Sequence, residues 1–319
     1  METIIKKVDY YNKRMDIYFK NEYTCIFKIL LITFFTILFI NLIHKNINAR
    51  SKFTEIDFVY VGEGSGAVIK TKKGKNILID AGEGFGKRYE HGLKTFIPYI
   101  LNTKSKKIHS MYLSHLDSDH AGGGIYVLRY LNSKNIFIPY INKKVLDEDK
   151  IYKELRNLSN KKRVKIKQIS RGFNEQIDEV NIEVLWPDKN YLISKSRLNN
   201  NSIVMIVNIY GVKILFTGDI EKEAEIELVK RYKNSLKADI LVVPHHGSKT
   251  SSSEEFLKYV NPQYAICSAG KDNIFKHPHD KIIERYKKHN IKFLRTDEMG
   301  RIKLKIYKDR LKIDCFKAP

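Results

Sequence analysis

The chain has 319 residues, of which 43% are hydrophobic and 11% aromatic, so it can bury a sizeable core and is not a disordered chain. Its formal net charge is +22, of which residues 1–50 carry +4, so residues 51–319 carry the remaining +18. Such a charge favours polyanionic partners such as nucleic acid, anionic lipid or a wall polymer, although a lysine-rich composition alone would give the same value.

The first predicted element is a membrane anchor over residues 24–43, a run of 20 residues whose one charge, Lys28, lies near its start. About 20 apolar residues in a helix cross a hydrocarbon core of about 30 Å. Five basic residues precede the run, which predicts a single-pass protein of the cell membrane with a cytoplasmic N-terminus and the rest outside. A cleaved signal peptide and a buried core helix are the alternatives. The expected divisions are a basic N-terminus (1–23), the anchor (24–43), a linker (44–52) and one further domain (53–319).

Short β patterns separated by glycine-containing turns follow over residues 53–80 and predict a meander. Beyond them, apolar strand patterns alternate with helical ones up to a closing hairpin, with Asp309 and Arg310 near its turn. No Pro/Gly-rich linker interrupts this part of the chain, so the sequence predicts one α/β domain with helix-covered sheets. Cys267 and Cys315 stand in strand-like contexts, which favours buried free thiols over a disulfide bridge between them.

Residues 111–124, with the sequence MYLSHLDSDHAGGG, combine an apolar strand pattern with a cluster of metal-binding residue types. His115, Asp117, Asp119 and His120 can converge if the loop after the strand curls back. A divalent cation would remove the repulsion between the two carboxylates. The three glycines that follow allow close backbone approach and are expected to start a helix. An acidic surface loop or a capping cluster is the alternative.

Three other predicted strands also end in polar side chains. Asp80 ends the ILID pattern, Asp219 ends ILFTGD, and His245 and His246 end ILVVPHH. Taken singly, Asp80 would fit a turn and Asp219 a helix N-cap. Because all four groups stand at strand ends, we expect them to meet at one sheet edge and to form a shared metal site.

This pattern resembles the metallo-β-lactamase fold, and more narrowly the extracellular metallo-β-lactamase-like domain of ComEC-type DNA-uptake channel proteins. The resemblance spans nearly all of residues 55–307 and rests, in order, on VGEGSGAVI, ILIDAG, SHLDSDHAGG, NNNSIVM, ILFTGDI, ADILVVPHHGSKTSS, PQYAICSAGKDN, HPH and RTDEMGRIKL. It implies an αββα sandwich, here preceded by the predicted transmembrane helix. The broad superfamily usually has His-x-His-x-Asp-His, and Asp117 replaces the second histidine, as in this subfamily. Residues 200–202 stand where the superfamily has a further histidine ligand, so that ligand is missing.

The same resemblance implies roles for the site residues. The metal ligands would be His115, Asp117, Asp119, His120, Asp219 and His245, with Asp219 as the bridge. The residues behind the ligands would be Asp80, which orients a ligand histidine, Asn200 and Ser202. The catalytic residues would be Asp119, His246 and His279, and those that contact the substrate Lys249, Ser248 and His277. His246, His277 or His279 would protonate the leaving group; helix capping around residue 278 is the alternative for the last two. This ligand set suits two divalent ions, Zn²⁺ or Mn²⁺.

The function implied is a membrane-anchored, metal-dependent phosphodiesterase that cuts DNA outside the cell with a metal-bridging hydroxide. One alternative is hydrolysis of another phosphodiester, in a wall polymer or a nucleotide. Another is a DNA-capture module with a degenerate metal site. The channel proteins have many membrane spans and this chain has one predicted span, so DNA translocation is not implied. A separate DNA-uptake channel is a candidate partner.

Overall fold

The computed structural model describes residues 2–48, 51–84, 92–103, 105–190 and 199–316. The chain separates into two compact units, with the boundary between Arg50 and Ser51. The first unit contains the helix α1 (Glu2–Asn48). Within the described residues, no helix combines the length and the apolar character that crossing a membrane requires, so the span predicted at 24–43 is not found.

The second unit is built on two β-sheets. Its strands are, in chain order, β1 (Thr54–Phe58), β2 (Ala67–Lys70), β3 (Asn76–Ile79), β4 (Lys107–Tyr112), β5 (Asn132–Pro139), β6 (Lys165–Ile169), β7 (Asn174–Ile177), β8 (Val180–Trp186), β9 (Val204–Ile209), β10 (Val212–Phe216), β11 (Ile240–Val242), β12 (Tyr264–Cys267), β13 (Lys292–Arg295), β14 (Arg301–Ile306) and β15 (Leu311–Phe316). The first sheet has the order β15-β14-β1-β2-β3-β4-β5-β6, and the second has the order β13-β12-β11-β10-β9-β8-β7.

Helices cover the outer faces of both sheets. They are α2 (Ile97–Leu101), α3 (Ser118–Tyr130), α4 (Lys143–Glu148), α5 (Lys150–Lys162), α6 (Lys222–Tyr232), α7 (Glu254–Val260) and α8 (Asp280–Lys288); the short α9 (Thr296–Met299) follows β13, and its Met299 packs against the cluster between the sheets. One buried cluster lies between the sheets, where Phe58 and Phe216 stack with ring centroids 5.9 Å apart. A second joins the first sheet to α2, α3 and α5, and a third joins the second sheet to α6, α7 and α8. The predicted αββα sandwich is therefore confirmed.

Each sheet contains a parallel section, and these sections position the site. In the first sheet β3, β4, β5 and β6 are parallel, and in the second β10, β11, β12 and β13 are parallel. Ligand sites in α/β sheets form beyond the carboxyl ends of such strands. The polar groups identified in the sequence follow β3, β4, β10 and β11.

The local predictions hold in part. The meander appears as antiparallel β1, β2 and β3, and the closing hairpin pairs Ile306 with Leu311. Helix α3 begins earlier than expected, at Ser118, so the three glycines lie inside the helix instead of starting it. Cys267 and Cys315 are both free; Cys267 is buried as expected, whereas Cys315 is exposed.

Candidate metal centre

The polar side chains from four strand ends meet at one edge of the sandwich. Asp80 directly follows β3, the segment with His120 follows β4, Asp219 follows β10, and His246 follows β11. Nε2 of His120 lies 3.0 Å from Oδ1 of Asp219, and this contact joins the two sheets. The predicted convergence is therefore observed.

Asp119, His120, Asp219 and His246 form a cluster tight enough to hold one metal ion, with one ligand atom from each within 4.8 Å of all the others. Nε2 of His120 lies 3.0 Å from Nε2 of His246, and Nε2 of His246 lies 3.3 Å from Oδ2 of Asp119. Donor atoms that share one ion at about 2.1 Å lie about 3.0–3.5 Å apart. Imidazole nitrogens that face each other among carboxylates fit a divalent cation, which accepts both lone pairs.

Hydrogen bonds on the far side of the two imidazoles aim them at the cluster. Nδ1 of His120 donates to Oδ2 of Asp80 at 2.8 Å, and Nδ1 of His246 donates to the carbonyl oxygen of Ser268 at 2.8 Å. With each Nδ1 carrying the proton, each Nε2 presents a lone pair to the centre of the cluster. This arrangement is typical of metal-binding histidines, whose other nitrogen is held by a carboxylate or a carbonyl.

A second set of donors lies around Oδ2 of Asp219. Nε2 of His115 is 3.7 Å from Oδ2 of Asp117 and 3.9 Å from Oδ2 of Asp219. Nε2 of His245 is 3.8 Å from the same oxygen of Asp219. Nε2 of His115 is buried without a hydrogen-bond partner. Burying an unpaired polar atom costs free energy, and a bound group that interacts with this nitrogen would remove that cost. The distances to these carboxylate oxygens are longer than the closest ones within the four-residue cluster, so a second cation at these donors stays a prediction.

The structure places the two consecutive histidines differently from the predicted roles. His246, expected as a proton donor, belongs to the four-residue cluster. His245, expected as a ligand, lies farther out, with its Nδ1 3.6 Å from Oε1 of Glu221. Both adopt left-handed backbone conformations, with φ of 48° and 51°. Strained conformations of this kind for residues other than glycine concentrate at functional sites.

The electrostatic field of the cluster favours positive charge. Burial opposes a charge on His120, yet Asp219, Asp80 and Asp119 raise its pKa well above the ordinary value. Burial also opposes the charge of Asp219, but His120 and His246 hold its pKa well below the usual range. Burial lowers the pKa of His115. The site thus holds anionic carboxylates that a cation would neutralise.

Close backbone packing explains the glycines of the motif. A Cβ atom on Gly123 would lie 1.8 Å from the carbonyl oxygen of Ala81, so α3 reaches the loop after β3 only with glycine there. The amide of Ala81 donates to the carbonyl oxygen of His120 at 2.9 Å, and the amide of Gly123 donates to that of Gly82 at 2.8 Å. The first turns of α3 are thereby fixed beside Asp80.

Asn200 and Ser202, which are predicted to stand where the superfamily has a histidine ligand, make hydrogen bonds near the site. The hydroxyl of Ser202 accepts from the amide of Asp219 at 3.2 Å. The side chain of Asn200 accepts from the amide of Glu221 and donates to Glu223, at 2.8 and 2.6 Å. Both residues therefore lie behind the ligands, as predicted, although their roles stay a prediction.

The predicted substrate contacts fall into two groups. His277 lines the cleft with its ring 5.7 Å from that of His245. Ser248 is buried, and its hydroxyl bonds to that of Thr250 at 3.0 Å. Lys249 is exposed. His279 occupies the N-cap position of α8 but makes no side-chain capping bond there. Their roles in binding or proton transfer stay predictions.

The cluster opens into a cleft of about 550 Å³. Sequence reasoning missed one wall of this cleft, residues 269–275, together with Tyr60 and Glu63, which contact it. None of these residues has the spacing of a metal motif. Only the hydrogen bonds from the amides of Lys271 and Ile274 to Tyr60 and Glu63 reveal that the segment belongs to the site.

Comparison with known proteins agrees with this geometry. Residues 59–271 match the family model described as the metallo-beta-lactamase superfamily. The chain is 33% identical over 288 residues to ComE operon protein 3 of Bacillus subtilis (strain 168), a match that covers 86% of this chain and 35% of that protein. It is 30% identical over 239 residues to Competence protein ComA of Neisseria gonorrhoeae, covering 75% of this chain and 30% of that protein. The chain therefore spans about a third of the length of these relatives.

Among solved structures, the chain is similar to CmlA, a diiron beta-hydroxylase from Streptomyces venezuelae. The TM-score is 0.52 at 11% sequence identity, and the match covers 80% of this chain and 55% of CmlA. At this identity the similarity extends to the fold alone.

Proposed function

The chain belongs to the metallo-beta-lactamase superfamily, and on that premise we propose that it is a metal-dependent phosphodiesterase whose substrate is DNA. The observation that carries the proposal is the cluster of Asp119, His120, Asp219 and His246 at the base of an open cleft. The choice of DNA is supported by the relative named Competence protein ComA, competence being the uptake of DNA, and by the net charge of +22.

The chain's own residues supply orientation and charge. A divalent cation held by the cluster, with a second one beside His115 and Asp117, would polarise a phosphodiester and activate water, and Zn²⁺ or Mn²⁺ suits these donors. Asp80 and the Ser268 carbonyl keep the two ligand imidazoles in the metal-binding tautomer.

Lys271 on the cleft wall offers a cation to a flanking phosphate. Burial and the neighbouring His246 and His245 lower the pKa of His277 to about 4, so its ring is uncharged at neutral pH, which disfavours the predicted transfer of a proton from it to the leaving group.

The test uses the full chain, purified in detergent and stripped of metal. Cleavage of single- and double-stranded DNA is followed after adding Mn²⁺ or Zn²⁺. Asp119→Asn should lower the rate by at least about a hundredfold, because it removes a ligand charge. Asp272→Asn is the matched control, since Asp272 lines the same cleft outside the cluster and asparagine accepts its φ of 55°.

Other outcomes would replace the proposal. Metal-dependent hydrolysis of a wall polymer or a nucleotide, but not of DNA, would keep the phosphodiesterase and change its substrate. Tight DNA binding without cleavage under either metal would identify a capture module. Activity that is equal in Asp119→Asn and in the unchanged protein would exclude the cluster as the catalytic centre.

Membrane association at the outer face of the cell is a separate proposal. Its support is α1, in which the apolar side chains of Ile32, Phe34 and Phe39 are 63–67% exposed. A helix with this much exposed apolar surface is expected to bury it against a partner, and a lipid bilayer is one such partner. Extraction of cell membranes with alkaline carbonate would leave an anchored chain in the pellet. Protease added to intact cells would then cut the second unit only if it lies outside, and that unit's resistance would contradict the proposed location.

A further inference from the structure

Two exposed apolar side chains, those of Ile274 and Phe275, lie on the wall of the cleft. The proposed metal chemistry does not use them. Ile274 and Phe275 both line the cleft, and they are 69% and 58% exposed. The remaining lining is dominated by carboxylates, histidines, glycines and Lys271. Large apolar side chains left in water beside a polar site point to a ligand that covers them.

The segment that carries this pair is held in a fixed shape. Oδ1 of Asn273 accepts from the amide of His277 at 2.9 Å, and its amide group donates to the carbonyl oxygens of Gly270 and His277 at 2.9 and 2.5 Å. The amide of Ile274 donates to Oε1 of Glu63 at 3.1 Å. The hydrogen bonds of the Asn273 and Glu63 side chains therefore fix the backbone that carries the apolar pair. The pair is a contact surface that needs little ordering when a ligand binds.

The ring of Phe275 connects to the metal centre through two histidines. It stacks on His277 with centroids 5.7 Å apart and an interplanar angle of 23°. His277 contacts the ring of His245 at 5.7 Å, and Nε2 of His245 is 3.8 Å from Asp219. One face of Phe275 is thus supported by His277, and much of the ring remains in solvent beside the cleft.

Lysine side chains lie on and beside this wall, although the cleft lining itself carries six carboxylates, among them Glu63 and Asp272. Lys271 lines the cleft, and Lys249 and Lys276 lie near enough to His279 to contribute, after burial, to its lowered pKa. A planar aromatic surface flanked by lysines matches a nucleotide, whose base stacks while its phosphates meet the cations.

We propose that Phe275, supported by His277, is a stacking platform for a nucleobase next to the phosphate at the metal cluster. This inference rests on the proposed function and narrows its substrate class to unpaired nucleotides, since a base in a duplex does not offer its face to a side chain. Phe275 is a specificity-determining residue in this proposal and is not part of the metal site.

The experiment measures binding separately from cleavage. The full chain carrying Asp119→Asn is titrated into a fluorescent single-stranded oligonucleotide and into one of equal length and charge with abasic sites. The platform predicts tighter binding of the oligonucleotide with bases, and Phe275→Leu should weaken that binding by about tenfold while leaving the abasic one unchanged. Phe275→Trp should retain it. A 2-aminopurine base should lose fluorescence on binding to the chain that keeps Phe275 and to Phe275→Trp, but not on binding to Phe275→Leu.

Tyr130→Leu is the matched control, because Tyr130 is also 58% exposed and is not among the residues lining the cleft. Equal affinity for the two oligonucleotides in the presence of Phe275 would overturn the platform. Binding to anionic vesicles is measured in parallel. If Phe275→Leu loses binding to the vesicles but keeps its binding to the oligonucleotide with bases, the platform is also overturned, since that result would assign the apolar pair to a membrane surface. Absence of DNA cleavage by the unchanged protein would instead contradict the proposed function and leave the base-dependent binding measurable.

Discussion

The side chain of His120 is fixed by Asp80, whose Oδ2 lies 2.8 Å from Nδ1 of the imidazole, and both residues are buried. Asp80 also accepts the amide and the hydroxyl of Ser114, at 2.7 and 2.9 Å. One carboxylate thus ties the end of β3 to the segment after β4 and sets the tautomer of a ligand. Nε2 of His120 is left to face Asp219 and His246.

The first prediction concerns this pair. Asp80→Asn keeps an acceptor for the Ser114 amide but removes the charge that holds the proton on Nδ1 of His120. We expect metal affinity to fall by about 10–100-fold, measured by competition with a chelator of known affinity. Asp188→Asn is the control, because Asp188 is also a buried carboxylate that accepts a backbone amide, that of Asn190, and it lies outside the cluster and the cleft. Equal losses in the two variants would show that Asp80 acts through general packing.

The second prediction separates the two consecutive histidines. His246→Asn should remove the tightly held ion, whereas His245→Asn should leave one ion per chain, since only His246 belongs to the four-residue cluster. Asparagine tolerates the left-handed backbone at both positions, with φ of 51° and 48°, so the variants are matched. Metal content after dialysis, measured by mass spectrometry, gives the answer. The reverse result would restore His245 as the principal ligand.

Much of the site could be predicted because its residues follow strands. Asp80, His120 and Asp219 each stand after an apolar strand pattern, and the parallel sections of the two sheets bring those ends together. Which of His245 and His246 belongs to the four-residue cluster could not be read from order alone, because both adopt positive φ and the turn decides where each ring lies.

The start of α3 and the far wall of the cleft show the limits of local patterns. The glycines after His120 indicated close approach, and Gly123 requires it, but the helix begins at Ser118 before them. The wall that carries Phe275 is shaped by Asn273 and Glu63, through bonds that depend on tertiary structure. No periodicity in the sequence encodes such contacts.

The third prediction concerns pH and the metal-free protein. Although burial opposes it, the surrounding carboxylates raise the pKa of His120 well above its ordinary 6.5, so the folded chain keeps a proton that the unfolded chain releases. This contribution to stability is complete below pH 6.5 and is lost as pH rises through the folded-state pKa. Denaturant unfolding of the chelator-treated chain from about pH 6 to about pH 9 should show declining stability, with a flatter profile in His120→Gln.

Added metal should reverse this pH dependence. The cation needs the neutral form of His120 and competes with the proton, so metal affinity should rise with pH over the same range. Burial lowers the pKa of His115, so protonation of this residue in the unfolded chain opposes the trend below pH 6.5 and adds nothing above it. Stability of the metal-free chain that increases from about pH 6 to about pH 9 would contradict the charge arrangement described for the cluster.

The fourth prediction uses two neighbouring glycines of α3. Gly123→Ala would place Cβ 1.8 Å from the carbonyl oxygen of Ala81, so α3 must move away from the loop after β3. We expect a loss of about 1–3 kcal/mol in unfolding free energy and weaker metal binding, since Asp119 and His120 lie on the first turn of the same helix. Gly124→Ala is the control, because its Cβ would meet Leu113 at an ordinary 3.4 Å and alanine favours a helix by up to about 1 kcal/mol. Thermal unfolding and metal titration of both variants decide the matter: similar behaviour of the two would mean that the contact with Ala81 does not position the cluster.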